Sequence, residues 1–374
     1  MSKTVFILGA GASYSHSNKE FPLVNDIFKV AKKLSVTTLI NSRNTLSSDY
    51  ECVEKYINKK FGKSILDSRQ KLNIEDILTN LEIDIEKIRT NKLQIIRNQI
   101  IEMIFNTFSI LTNKSFYNKG NNDYFSFYNN KLKANDTVIT YNWDLLLDNI
   151  LNREELIHKT ESRSLYGNFR ENISKAQYLN MLINLSGYRD YNNERINAPY
   201  MQYHSKGYYL KLHGSIDWLY CPNEDCGLYS KVFPVKDITG EYSCSECSST
   251  MKQLIIPPLL NKNYSSFPFV KKLWNIALEE LRLADELVIW GYSLPATDFY
   301  NRWLFRQTSD RLKKIAIINP ECFRKGKNKD LKSNNKFLNR FLDIFKTGKI
   351  VPEISYYENY RDYNNNVKYL NKYR

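Results

Sequence analysis

The spacing of apolar positions changes several times along the chain, and each change marks an element. Thr4–Leu8 is a short apolar run rich in β-branched residues that leads straight into Gly9-Ala10-Gly11-Ala12-Ser13, the pattern of a buried strand ending in a tight turn. Helical spacing follows over Val24–Leu34. From about Ser35 to Ser126 there is no proline and little glycine, and Ile74–Ile88 and Leu93–Leu111 carry apolar residues at three- and four-residue steps, so a helical insertion is expected. Asp136–Thr140 predicts a strand ending in Tyr141-Asn142-Trp143-Asp144, with a helix to about Leu151. Tyr208–Leu212 predicts another, ending in His213-Gly214-Ser215. Helical spacing over Trp274–Asp285 precedes a strand at Glu286–Trp290, which runs into Gly291-Tyr292-Ser293. A helix over Asp298–Gln307 then precedes a strand at Lys314–Ile318, ending in Asn319-Pro320. Strands separated by helices imply βαβ units, so the expected fold class is α/β with a parallel sheet. Residues 152–205 are polar and irregular and predict no element. The Tyr- and Asn-rich segment from Val351 reads as an extra helix, an oligomer contact or a loose end.

Composition narrows the class. A chain of 374 residues holds one large domain or two modest ones, and 42% hydrophobic with 25% charged residues excludes wholesale disorder. No apolar run approaches the ~18–20 residues that cross a bilayer. Thr4–Ala12 is too short for a secretory leader, so a cytoplasmic chain is expected. The formal net charge of +14 has two readings. One is a nucleic-acid partner, through Lys and Arg that displace counterions from phosphate. The other is the Lys, Asn, Ile and Tyr richness of an AT-rich coding sequence, because the basic residues are scattered apart from Arg311–Lys314 and Arg324–Lys332.

Three constellations carry candidate chemistry. Gly9, Ala10, Gly11 and Ser13 supply the first two glycines of a dinucleotide loop, with Ser13 as helix cap or phosphate ligand; Tyr14 stands at the third glycine position, and a ligand-free strand–helix turn is the bland alternative. Cys221 and Cys226 are separated by four residues, and Cys244 and Cys247 by two. Two turn-borne pairs at this spacing supply four thiolates to one tetrahedral zinc, and saturation with cysteine points to a structural ion; two disulfides are the alternative. Cys52 and Cys322 read as buried small hydrophobes. His213, Asn142, Asp144, Ser293 and Asn319 each follow a different predicted strand, where ligands of open α/β sheets bind, although each taken singly also reads as a cap or turn residue.

In this order the features resemble the sirtuin fold. They look closest to the sirtuin-like proteins of bacterial anti-phage defence, which degrade NAD. The resemblance covers most of residues 1–30 and 130–330. It implies a Rossmann-type NAD-binding domain over 1–34 and 128–345, a helical insertion at 35–127, a zinc module at 216–252 and a C-terminal tail at 346–374. It also implies residue roles. Gly9–Ser13 would cradle the pyrophosphate. Asn142 would lie against the nicotinamide ribose, Asp144 would bind the carboxamide and His213 would be the general base. Gly291 and Ser293 would meet phosphates or ribose, and Asn319 the adenosine ribose.

Departures from the typical sirtuin bear on activity. Glu20-Phe21-Pro22-Leu23-Val24 stands where Gly-Ile-Pro-Asp-Phe-Arg is usual, and Tyr141-Asn142-Trp143-Asp144 replaces Gln-Asn-Ile-Asp. Ile255-Ile256-Pro257-Pro258-Leu259-Leu260 occupies the stretch that pairs with acyl-lysine peptides, and its two prolines remove two backbone donors. The expected activity is therefore NAD glycohydrolysis that depletes NAD in defence, with NAD as substrate. The alternatives are an NAD-dependent deacylase or ADP-ribosyltransferase, or a non-catalytic NAD- or ADP-ribose-binding subunit of a DNA-associated ATPase complex. Uncontrolled NAD cleavage kills a cell, so gating is expected, with the helical insertion and the aromatic tail as places for a homo-oligomer contact or a partner; the resemblance implies activation by infection or by a motor ATPase partner.

Overall fold

The computed structural model describes residues 2–36, 47, 50–67, 69–117, 123–133, 136–151, 208–229, 232–234, 242–256, 267–295, 298–308, 311–323, 335–345, 351–367 and 369–370. Residues 152–205, Arg324–Lys332 and Pro257–Leu260 lie outside them.

A seven-stranded sheet organises the chain. Its strands are β1 (Thr4–Leu8), β2 (Thr137–Thr140), β3 (Tyr209–Lys211), β7 (Glu286–Trp290), β8 (Lys314–Ile318), β9 (Glu353–Tyr357) and β10 (Tyr369–Leu370), in the spatial order β10-β9-β8-β7-β1-β2-β3. All neighbours are parallel except β10 on β9. Numbered as parallel strands alone, this is the order 3-2-1-4-5-6 of the Rossmann fold, with its switch point between β1 and β7. A second, antiparallel sheet holds β4 (Gly214–Tyr220) between β5 (Val232–Pro234) and β6 (Lys252–Ile255).

The alternation within β1 shows how the layers form. Val5 and Ile7 enter one core, while Phe6 and Leu8 enter the other. A strand buried on both faces reads as a continuous apolar run, which is why Thr4–Leu8, Glu286–Trp290 and Lys314–Ile318 occur as strands with the expected bounds. The face of Phe6 and Leu8 is covered by α1 (Ala10–His16), α2 (Ile27–Lys33), α3 (Glu51–Phe61), α4 (Ile74–Ile88), α5 (Asn91–Tyr117) and α6 (Asp123–Asn130), whose apolar residues share one core with the sheet. Asn73 caps α4, its side chain accepting from the amides of Glu75 and Asp76. The other face is covered by α7 (Pro268–Arg282), α8 (Phe299–Arg306) and α9 (Lys336–Phe345). Helix α7 begins six residues before the expected Trp274, because Pro268 stands in its first turn and Phe269, Val270 and Leu273 extend its buried stripe.

The segment from Val351 contributes β9, the sixth parallel strand, and then α10 (Tyr360–Asn364). Its tyrosines do the work of aliphatic residues. Tyr356 enters one core and Tyr357, Tyr360 and Tyr363 the other, so a run that reads as polar is inside the fold.

Candidate functional site

The strands end in register. Leu8 pairs with Thr140 and with Trp290, Thr140 with Lys211, and Trp290 with Ile318. Gly9, Asn142, His213, Gly291 and Asn319 therefore leave the sheet at one edge, Gly9 and Gly291 on the two sides of the switch point. Their backbones interlock. The amide of Gly9 donates to the Trp290 carbonyl at 3.0 Å, and that of Gly11 to the Gly291 carbonyl at 2.9 Å. A Cβ on Gly9 would stand 2.6 Å from the Cα of Tyr292, and one on Gly11 2.8 Å from the Cα of Gly291. Gly291 has φ +66°, and its Cβ would stand 2.1 Å from the Ala12 amide nitrogen. The three glycines are required by this contact whatever the loop binds. Two amides expected to face a pyrophosphate already have partners.

Ser13 is the hub of a buried network that also holds Asn142 and Asp144. Its hydroxyl donates to Asp144 Oδ2 at 2.7 Å, accepts from Asn142 Nδ2 at 2.9 Å and lies 3.0 Å from the Tyr124 hydroxyl of α6. A serine hydroxyl has one proton and two lone pairs. With the proton on Asp144, Tyr124 is the donor and Ser13 is saturated. Asn142 Nδ2 also donates to the Gly9 carbonyl at 3.0 Å. A flipped amide would set oxygen against oxygen there, so the network assigns the orientation. Both amide hydrogens are engaged, and Oδ1 is the group that half-buried Asn142 keeps for another partner. Asp144 is buried; its Oδ1 accepts from the Leu146 amide at 3.0 Å, so both carboxylate oxygens are occupied within the protein. Burial pushes its pKa above the ordinary carboxylate value, against the opposing pull of Lys211 and the Ser13 hydrogen bond.

His213 is buried beside the Tyr141 ring, with centroids 5.0 Å apart. Its carbonyl accepts from Trp143 Nε1 at 3.1 Å and from the Ile256 amide at 2.9 Å. Gly214 follows at φ +78°, where a Cβ would meet the Leu254 carbonyl oxygen at 2.0 Å, so only glycine lets β6 close behind the histidine. Ser293 is exposed on the loop after β7, and Leu294 behind it is buried. Asn319 caps a short turn, its side chain accepting from the Glu321 amide at 2.9 Å while its own amide donates to the Tyr357 carbonyl. Ala10 opens α1.

Further residues were not singled out in the sequence. Lys211 is fully buried in β3; its Nζ donates to the Asp144 carbonyl at 2.6 Å and to Asp148 Oδ2 at 3.1 Å, tying the Asn142–Asp144 loop to the strand that carries His213. Tyr141, Tyr292, Asp298 and Asn301 form a second buried network. Tyr292 donates to Asp298 at 2.6 Å, Tyr141 donates to Asn301 Oδ1 at 2.6 Å, and desolvation raises both phenol pKa values well above the ordinary one. Tyr141 and Tyr292 adjoin residues of the motifs, a signal that was there to use. Tyr124, in the helical layer, has none.

The four cysteines converge at one end of the small sheet. Their sulfurs all lie within 4.8 Å of one another, with Cys221–Cys247 at 3.5 Å and Cys226–Cys244 at 3.6 Å. None of the four is in a disulfide. Tetrahedral zinc with bonds of about 2.3 Å separates its sulfur ligands by about 3.8 Å, so the donor set fits that ion.

No protein-family model matches the sequence, and no curated protein matches it either. Solved structures do. A crystal structure of a Sir2 homolog–NAD complex is similar with TM-score 0.42 and 13% identity, over 98% of this chain and 87% of that one. A mutant Sir2 homologue in complex with ADP-ribose is similar with TM-score 0.34 and 15% identity, over 85% and 81%. A Sir2 bound to a propionylated peptide is similar with TM-score 0.33 and 13% identity, over 98% and 91%. Among the described residues, no helix is long and apolar enough to cross a membrane.

Proposed function

We propose that the chain is a sirtuin-like NAD glycohydrolase. The observation that carries this reading is the saturated Ser13–Asn142–Asp144 network at the switch point of a sheet in dinucleotide-binding order, with His213 following β3 at the same sheet edge. It holds a side-chain carbonyl, Asn142 Oδ1, as a fixed acceptor at the edge where β3 delivers His213, an arrangement suited to a ribose hydroxyl or a water.

In the proposed reaction the bond between ribose C1′ and the nicotinamide ring nitrogen breaks, and its electron pair neutralises the pyridinium. Positive charge builds on the ribose as in other glycosyl transfers. Asn142 Oδ1 accepts from a ribose hydroxyl or the incoming water. His213 takes the water proton as oxygen bonds to C1′, giving ADP-ribose, nicotinamide and a proton; such a base contributes roughly 10²–10⁴-fold. Asp144 and Lys211 hold the loop, and Gly9–Ser13, Gly291, Ser293 and Asn319 border the crevice for the rest of the dinucleotide. A zinc on Cys221, Cys226, Cys244 and Cys247 would cross-link the small sheet. Depletion of NAD in the cytoplasm during anti-phage defence, gated by self-assembly or an ATPase, is the setting proposed.

The test is incubation of the purified protein with NAD while nicotinamide and ADP-ribose are followed by chromatography, with and without an acetyl-lysine peptide. Release without peptide, lost in His213→Ala, is expected. Release only with peptide would replace this reading by deacylation. ADP-ribose binding without turnover, insensitive to His213→Ala, would replace it by a binding module.

A further inference from the structure

The helical layer supplies one group to the network. Tyr124 lies in the first turn of α6, 111 residues from Ser13 in sequence, and its hydroxyl stands 3.0 Å from Ser13 Oγ. It is buried, held edge-on by Trp290 at 5.2 Å and faced by His16 at 4.5 Å. The same turn is bolted to α1 twice more. Ser15 Oγ donates to Asp123 at 2.9 Å, and the Tyr124 amide donates to His16 Nδ1 at 3.4 Å. Helix α1, which carries Ser13, is thus docked on α6 by three side chains over one turn. One turn on, Phe127 packs against the same Trp290 and against Tyr360 of the C-terminal segment.

Without the phenol, Ser13 Oγ keeps a free lone pair and a rotatable proton. Its proton could then leave Asp144, and the amide of Asn142 would lose a fixed acceptor. We propose that Tyr124 is a positioning residue of the site: by donating to Ser13 Oγ it commits the Ser13 proton to Asp144 and keeps Asn142 Oδ1 for another partner. The catalytic consequence rests on the glycohydrolase reading, whereas the hydrogen-bond consequence does not. The helical layer is then part of the site, and anything that shifts α6 shifts Asn142.

The experiment compares the full-length wild type with Tyr124→Phe, Ser13→Ala, the double variant, and Tyr363→Phe, which removes a buried hydroxyl from the same aromatic cluster away from Ser13. Two readouts are taken: kcat and KM for nicotinamide release, and the ¹⁵N–¹H signal of the Asn142 side-chain amide, assigned by its loss in Asn142→Ala. Tyr124→Phe is expected to lower kcat about tenfold, the scale of one hydrogen bond, with KM nearly unchanged. The losses should be less than multiplicative in the double variant, because Tyr124, Ser13 and Asn142 are in mutual contact. The Asn142 signal should move in Tyr124→Phe and stay in place in Tyr363→Phe. Unchanged kcat, effects that multiply in the double variant, or an unmoved Asn142 signal overturns the proposal. A wild type that releases no nicotinamide defeats the glycohydrolase reading, and the Asn142 signal then decides on Tyr124 by itself.

Discussion

Replacing Gly291 by alanine tests the backbone contact on which the crevice is built. Gly62 provides an internal control. Both glycines are left-handed, at φ +66° and +62°, but a Cβ on Gly62 meets nothing within 4 Å. The left-handed conformation costs alanine about 1–2 kcal/mol, partly offset by about 0.4–1 kcal/mol from a stiffer unfolded chain. Gly62→Ala should therefore lose about 1 kcal/mol. At Gly291 the new Cβ falls 2.1 Å from the Ala12 nitrogen and 2.4 Å from the Gly11 carbonyl carbon, where real Cβ contacts essentially never fall below 3.0 Å. Relief requires about 1 Å of separation between α1 and the loop after β7. That breaks the hydrogen bonds from Gly9 to Trp290 and from Gly11 to Gly291, at about 1–3 kcal/mol for each group left unpaired. Gly291→Ala should thus lose about 3–7 kcal/mol and, on the proposed function, nicotinamide release as well. Urea unfolding of the two variants measures the difference. Losses within about 0.5 kcal/mol of each other would refute the close contact.

Four further outcomes are expected. Asn142→Ala should abolish nicotinamide release while circular dichroism keeps its native form; retained turnover would remove Asn142 from the mechanism. Lys211→Met removes the buried cation from Asp148, which keeps the Tyr209 hydroxyl, and the donor from the Asp144 carbonyl, and should cost about 3–5 kcal/mol by denaturant unfolding. Elemental analysis should find one zinc per chain, lost in Cys226→Ser with a lower melting temperature. The raised pKa of Asp144 makes the folded state hold a proton that the unfolded state has released, so this group lowers stability as pH rises from about 4 through its folded pKa. The stability difference between Asp144→Asn and wild type should therefore shift toward the variant over that interval and then level off; a flat difference would contradict the burial effect.

The sheet could be read from the sequence wherever burial on both faces produced an unbroken apolar run. The strand ends could be read with it, which located Asn142, His213, Gly291 and Asn319. The cysteine cluster was legible because its spacing is local. Roles were harder. Ser13 reads as a phosphate ligand until Tyr124, Asn142 and Asp144 are seen to use its whole hydrogen-bonding capacity, and they come from 111, 129 and 131 residues away. Lys211 carried no signal of its own, because only its three-dimensional partners, Asp148 and the Asp144 carbonyl, account for its burial. Strand β9 was hidden by tyrosines that fill core positions.

The strand order also sets a timetable for synthesis. Strand β1 is made before both of its sheet neighbours, β2 from residue 137 and β7 from residue 286. At about 5–20 residues per second, the nascent chain waits roughly 15–60 s between making Gly9 and making the Gly291 on which it closes. No shorter nascent chain has both halves of the crevice. A chain interrupted before Gly291 lacks one wall of the crevice, and the long wait leaves an apolar β1 for chaperones to shelter.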